Sequence, residues 1–293
     1  MRNIQPIRGI STCIVLARCF LLSAVVFAPL ACGESAPPAP LAHKAEPLEL
    51  TAKATASTLA FEVVPGSADA SFVMEAPFEK IVGKVPPEAV SGNIHIDPRD
   101  LGRSNGLIRV DLSGLELHQS KATEEGQYGE SSKNALQNEH VRAWLEIGPD
   151  APEAERQKNA SVELLVTSIT NPSVVDLSSA HGANRTVQFT GAGELRLHQR
   201  KRPVTVELEA VFRYQGDQLT GVDVRTRAPF AISLAEHDVR PREGFGKLAQ
   251  KTLEALAPKV ARDAMISIRF TAGAAGRPSE PLAGASAVPP STP

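Results

Sequence analysis

Apolar and polar residues alternate through the stretch from Arg185 to Tyr214, which carries the clearest structural signal in the chain. A period of two is typical of a β-strand with one buried face and one face in water. The basic residues 200–202, followed by Pro203, separate two alternating segments. The stretch is therefore predicted to form a hairpin with these residues on its apolar face: Val187, Phe189, Gly191, Gly193, Leu195, Leu197, Val204, Val206, Leu208, Ala210 and Phe212.

Shorter segments with the same period occur on both sides of this hairpin. They predict strands at residues 59–64, 71–84, 90–96, 106–117, 161–170, 219–234 and 264–271. Apolar residues at helical spacing instead predict helices at 138–147 and 245–260. Strands and helices do not alternate along the chain, which argues against a parallel α/β sheet. We predict a mainly all-β protein, a single antiparallel lipocalin-like β-barrel of about eight strands with two short helices.

Both ends of the chain lack this alternation and are rich in Ala and Pro. Segments of such composition bury too little apolar surface to fold. We predict a Pro/Ala-rich tether over residues 32–57, a barrel domain over 58–273 and a disordered tail over 274–293. If the tether is largely extended, it reaches on the order of 70 Å at about 3.1 Å per residue.

Residues 1–31 have the features of an export signal. Basic residues precede an apolar run at 19–28, which is too short to cross a bilayer. The run ends in PLAC at residues 29–32, and a small residue before a cysteine resembles the bacterial lipoprotein cleavage box. We predict a lipoprotein-type signal peptide over 1–31 and lipidation of Cys32. An ordinary signal peptide cut near Ala31 is the alternative.

Cysteine usage agrees with export. The chain has 3 cysteines, at positions 13, 19 and 32, so the mature chain would keep Cys32 alone and could form no internal disulfide. A lone cysteine at the new N-terminus suits lipid attachment, which anchors firmly when it adds more than one acyl chain. We expect an exported protein that is lipid-anchored in the bacterial cell envelope and faces the periplasm. Gly33, in place of an Asp retention signal, favours the outer membrane over the inner.

Candidate chemical groups are sparse. The net charge of -2, with no long basic block, argues against nucleic-acid binding. The sequence contains no Gly-rich phosphate loop, no nucleophile elbow and no pair of histidines at metal-ligand spacing. His140 beside Glu139 is the nearest candidate for acid–base chemistry, although a surface histidine is the commoner explanation. We predict no catalytic and no metal-binding residues, and therefore no enzyme.

The apolar interior is what remains as a functional feature. A closed barrel of eight strands is just wide enough for packed side chains or for one slim ligand. Since a packed core has the same inward-facing residue types as a ligand cavity, the pattern alone leaves both open.

Several segments resemble the YceI-like family of exported lipid-binding barrels. Residues 191–206 (GAGELRLHQRKRPVTV) are similar to its G-D-L-T-I-x-G-V-T-K-P-V hairpin. In order along the chain, residues 71–74 resemble its opening strand, 92–97 its G-x-I-x-x-D segment, and 227–232 its R-x-x-F-G-I segment. The resemblance spans about residues 59–272.

Two departures lie in the predicted first helix. Glu139 stands where the family has Asp, and residues 144–145 stand where it has paired phenylalanines. The resemblance implies an extended lipocalin-like barrel that binds a long isoprenoid or another amphiphile and performs no catalysis. The expected partners are a long-chain lipid and, through lipidated Cys32, a membrane; nucleic acid is not expected, no cofactor is expected beyond a bound lipid, and a homodimer is left open.

The leading hypothesis is therefore a membrane-tethered binding or carrier protein for a polyisoprenoid or related lipid. The alternatives are a structural or interaction lipoprotein with a filled barrel and, less favoured, an enzyme that acts on a lipid. The residues expected to line the cavity are Phe72, Met74, Phe78, Ile108, Val110, Trp144, Phe189, Leu195, Phe212, Phe230 and Ile268.

Overall fold

A computed structural model describes residues 41–51, 55–124, 126–240 and 262–274. The predicted signal peptide, Cys32, the helix at 245–260 and all but the first residue of the tail lie outside these ranges. The strands of the described residues are β1 His43–Lys44, β2 Leu59–Val63, β3 Asp69–Ala76, β4 Glu79–Lys84, β5 Val90–Ile96, β6 Asn105–Asp111, β7 Glu116–Lys121, β8 Ser132–Lys133, β9 Ser161–Thr170, β10 Asn184–Leu197, β11 Arg200–Gln215, β12 Gln218–Thr226, β13 Phe230–Ser233 and β14 Asp263–Ala274. The described helices are α1 Ala135–Trp144 and α2 Glu153–Ala160.

Eight of these strands form a closed antiparallel ring. The order of neighbours is β2, β5, β6, β9, β10, β11 and β12, then β14, which pairs with β2 again. The predicted hairpin is β10 and β11, and its register places Val187 opposite Ala210 and Phe189 opposite Leu208. The predicted antiparallel barrel of about eight strands is therefore confirmed.

The ring shares one strand with a smaller sheet. The first half of β14 pairs with β3 and β13, and its second half pairs with β2 and β12. From β3 the pairing continues through β4 and β7 to β8. We call β3, β4, β7, β8 and β13 the side sheet. Because β14 belongs to both assemblies, the side sheet extends the barrel wall beyond the ring.

Two predicted strands are in fact interrupted. The stretch 71–84 is the β3–β4 hairpin, with Pro77 and Phe78 at its turn, and the stretch 106–117 is broken by a single helical turn at Leu112–Gly114. The Pro77–Phe78 turn has two residues, an even number. The alternation of apolar and polar positions therefore keeps the same phase on both sides of the turn, and the pattern shows no break there. α1 matches the predicted helix at 138–147, whereas α2 was not predicted; its eight residues include no large apolar side chain.

Among the described residues, buried apolar side chains form two clusters. The first lies inside the ring, and we call it the barrel cluster. The second lies among α1, the side sheet and parts of β9 and β10, and we call it the α1 cluster. The buried side chain of Asn138 joins α1 to β7, because its Oδ1 accepts from the amide of Leu117 at 2.9 Å and its Nδ2 donates to the carbonyl of Leu117 at 3.0 Å.

Residues 41–51 lie against the outside of the barrel, and we call them the strap. Its β1 pairs with β11, and Ala42 and Leu48 are buried. This part of the predicted tether is therefore packed against the domain. Composition missed it because the strap is held largely by its main chain, which carries no sequence signature.

Candidate apolar binding site

The interior of the barrel contains a cavity of about 80 Å³. All of its lining residues are apolar except Ser104 and Asn105, at the start of β6. Each of these makes a hydrogen bond within the protein. The Ser104 hydroxyl accepts from the amide of Asp97 at 3.0 Å, and Asn105 Nδ2 donates to the strap carbonyl of Thr51 at 2.7 Å. Asn105 Oδ1 is buried and has no hydrogen-bond partner among the described residues. Apart from this oxygen, the cavity is suited to hydrocarbon.

Glycines surround Val166, which lines the cavity. Val166 on β9 stands opposite Gly106 on β6 and Gly193 on β10. At a third glycine, Gly191, the ends of Val166 and Leu208 would lie 3.2 Å from a Cβ. At Gly193 a Cβ would overlap the carbonyl of Leu165. The glycines therefore permit close approach of neighbouring strands and side chains around Val166.

Four of the predicted lining residues do line this cavity: Ile108, Phe189, Phe212 and Ile268. All four belong to strands of the closed ring and to the barrel cluster. The period-two rule placed their side chains correctly because these strands are regular and have one buried face. Contact of these side chains with a ligand stays a prediction.

The other seven predicted residues lie elsewhere. Leu195 is buried in the α1 cluster, and Val110 and Phe230 pack against both clusters. Three further residues, Phe72, Met74 and Trp144, are half-buried against the α1 cluster, and Phe78 is 62% exposed at the β3–β4 turn. The alternation identified apolar faces, but it did not reveal that the apolar residues of the described ranges divide between two clusters.

Several lining residues are not among the predicted ones. Leu164 and Val166 lie on the predicted strand at 161–170, and Leu208 and Ala210 lie on the predicted apolar face of the hairpin. Val222 and Phe270, from β12 and β14, also line the cavity. Because a packed core uses the same residue types, the sequence carries no signal that separates these lining residues from core residues.

The outer face of the same wall holds buried charges. Glu163 on β9 and Arg196 on β10 are each only 2% exposed, with Arg196 Nη1 3.7 Å from Glu163 Oε2. The strap supplies their further partners: Glu163 Oε2 accepts from the amide of Leu48 at 2.6 Å, and Arg196 Nε donates to the carbonyl of Ala45 at 3.0 Å. Arg109 Nη2 donates to the carbonyl of Leu48 at 3.1 Å. These contacts hold the strap against the outer face of the barrel.

Thr55 and Ser57, shortly before β2, are held by Asp97, which is 3% exposed. Its carboxylate accepts from the hydroxyls of Thr55 and Ser57, each at 2.9 Å, and from the amide of Arg99 at 3.0 Å. Burial opposes ionisation, but these hydrogen bonds outweigh it and lower the pKa of Asp97 below its ordinary value.

His198 lies in a second polar cluster at the β10–β11 turn. Its Nδ1 is 3.2 Å from the carbonyl oxygen of His237, and its Nε2 is 3.1 Å from Glu146 Oε2. Burial lowers the pKa of His237 and favours its neutral form. Glu146, His198, Gln199 and Asp238 all have positive φ, so the turns that meet here are strained. Neither histidine lines the cavity.

The candidate acid–base pair on α1 lies outside the cavity. Glu139 is exposed and His140 is half-buried, and neither lines the cavity. Across the described residues, no group of three or more His, Cys, Asp or Glu side chains could hold a metal ion. The described helices are all too short or too polar to span a membrane.

No protein-family model matches the chain, and no curated protein matches it by sequence. Among solved structures, it is similar to a polyisoprenoid-binding domain from Saccharophagus degradans implicated in plant cell wall breakdown, with a TM-score of 0.42 and 16% identity over 74% of this chain and 99% of that one. At that distance, the similarity assigns neither a family nor a ligand to this chain.

Proposed function

We propose that the barrel binds one end of a long apolar chain, such as that of a polyisoprenoid or related lipid, as a distant YceI-like carrier without catalysis. The observation that carries the proposal is the cavity inside the closed ring, whose lining side chains are apolar apart from Ser104 and Asn105. Each methylene buried there contributes about 0.8 kcal/mol. The ordered sequence resemblance to the YceI-like proteins supports the same ligand class.

The size of the cavity defines what the ligand must do. At about 80 Å³, it has roughly half the volume of an engineered apolar cavity of about 150 Å³ that binds benzene. Only the end of a chain fits without rearrangement, so a longer chain requires side chains to move. The same observation favours one alternative, a filled barrel whose outer surface binds a protein partner.

Lipid uptake distinguishes the two. The purified protein is expected to carry a lipid detectable by native mass spectrometry and, after delipidation, to take up a fluorescent isoprenoid. Ala210→Leu fills the cavity and is expected to abolish uptake, whereas Ala231→Leu, at an exposed position of β13, keeps it. A wild-type protein with no lipid and no uptake would leave the filled barrel as the better explanation.

Membrane tethering through Cys32 is part of the proposal. Because residues 41–51 pack on the barrel, the spacer is shorter than the predicted tether. Residues 33–40 cover no more than about 30 Å when fully extended. Cys32→Ser is expected to move the protein from the membrane fraction to the soluble fraction, and density-gradient separation of the membranes tests the outer-membrane assignment. Unchanged fractionation would contradict lipid anchoring.

A further inference from the structure

The cavity and the α1 cluster share side chains of β9. Leu164 and Val166 line the cavity and are also part of the α1 cluster, Leu164 as a buried member and Val166 packed against it. Four further residues pack against both clusters at this junction: Val85, Val110, Val204 and Phe230.

Cross-strand pairing shows the path. Leu164 stands between Ile108 on β6 and Leu195 on β10 in one row of directly opposed residues. Ile108 lines the cavity, whereas Leu195 is buried in the α1 cluster. Leu164 is therefore the middle residue of a continuous apolar row that leads out of the cavity and into the second core.

The unfilled space lies on the cavity side of Leu164, because Leu164 itself lines the cavity. The next inward residue of β9 is Val166, which also lines it. Beyond Leu164, the half-buried residues Phe72, Met74 and Trp144 pack against the α1 cluster. A side chain that shifts at Leu164 can therefore join two apolar regions without exposing a polar group.

We infer that Leu164 is the gate that sets how long a chain the barrel accepts: when it moves, the chain continues from the cavity into the α1 cluster. The inference rests on the proposed function, since it concerns the same ligand. It makes Leu164 a residue that determines chain-length specificity, and it explains how a cavity of about 80 Å³ can belong to a binder of long chains.

The test is a series of prenyl alcohols with one to four isoprene units, measured by displacement of a fluorescent isoprenoid. Leu164→Ala is expected to tighten binding of the three- and four-unit alcohols about tenfold or more, because each methylene buried beyond the gate favours binding by roughly fourfold. Binding of the one-unit alcohol should stay within about twofold. Leu164→Phe should weaken the long alcohols and spare the short one.

Leu115→Ala is the matched control, because Leu115 is 1% exposed in the α1 cluster but does not line the cavity. It should lower stability without a length-dependent gain. If Leu164→Ala does not fold, Leu164→Val makes the same opening on a smaller scale. A wild-type protein that binds none of the alcohols overturns the proposed function and the gate with it. Binding by the wild type with the same gain for every length in Leu164→Ala, or with an equal gain in Leu115→Ala, overturns the gate alone.

Discussion

The two faces of the wall formed by β6, β9 and β10 differ in how completely they are packed. The inner face is apolar, interrupted by glycines, and borders an unfilled cavity. The outer face carries the buried Glu163 and Arg196, which are hydrogen-bonded to the strap. The same strands therefore have one face that borders empty space and one face where the loss of a charged side chain leaves its partner charge unpaired.

The strap joins β6, β9, β10 and β11 from outside. Its contacts with Arg109, Glu163 and Arg196, and its pairing with β11, involve no residue that lines the cavity. A buried ion pair is poor evidence for net stability, but removal of one partner is costly. The following predictions test this difference between the faces.

The largest effect is expected for Glu163→Ala. The substitution leaves Arg196 buried without its carboxylate and removes the acceptor of the Leu48 amide. A loss of about 3–5 kcal/mol in the free energy of unfolding is expected, measured by urea denaturation.

Glu194→Ala is the control, since Glu194 on β10 pairs with Lys201 and both side chains are partly exposed. Its cost should stay below about 1 kcal/mol. Similar losses in both variants would show that the buried contacts of Glu163 stabilise the protein no more than an exposed ion pair does.

Substitutions at two glycines of β10 test how closely the backbone and the inner face of the wall are packed. A Cβ at Gly193 would overlap the carbonyl of Leu165, beside the bulge at Ala192 and Gly193, whereas a Cβ at Gly191 would meet only the ends of Leu208 and Val166. Gly193→Ala is expected to cost about 2–3 kcal/mol, and Gly191→Ala less than about 1 kcal/mol. Thermal and urea unfolding of the two variants decide this. Equal losses in the free energy of unfolding would mean that the side chains of the inner face yield no more easily than the backbone.

Sequence reasoning succeeded where a side chain's direction follows from its own strand. The hairpin of β10 and β11 and the inward position of Phe189 and Phe212 needed only a period of two. It failed where position depends on a distant partner. The α1 cluster that receives Leu195 combines segments far apart in the chain, and the strap is bound by its carbonyls and amides, which every residue has.

The charged residues of the outer face show the same limit. Alternation correctly directed Arg196 away from the apolar face, but it could not show that a strap would cover it. Asp97 directly follows β5 and is a buried acceptor for Thr55 and Ser57, which precede it by about 40 residues. When another segment covers a residue, the contribution of that residue to stability changes, although its side chain points the same way.

The smallest effect concerns Asp97 and depends on pH. Its pKa in the folded protein is lowered from 3.8, so the unfolded chain binds the proton more readily. The stabilisation is therefore fully present above the unfolded pKa and is lost as the pH falls through the lower folded pKa. At pH 6, Asp97→Asn is expected to reduce the free energy of unfolding by about 1–2 kcal/mol, because charge-assisted hydrogen bonds become neutral ones. The difference from wild type should shrink as the pH falls below the unfolded pKa of 3.8, measured by urea titrations with exposed Asp150→Asn as the surface control. A difference that stays constant or grows on acidification would contradict the role of the ionised Asp97 carboxylate in holding Thr55 and Ser57.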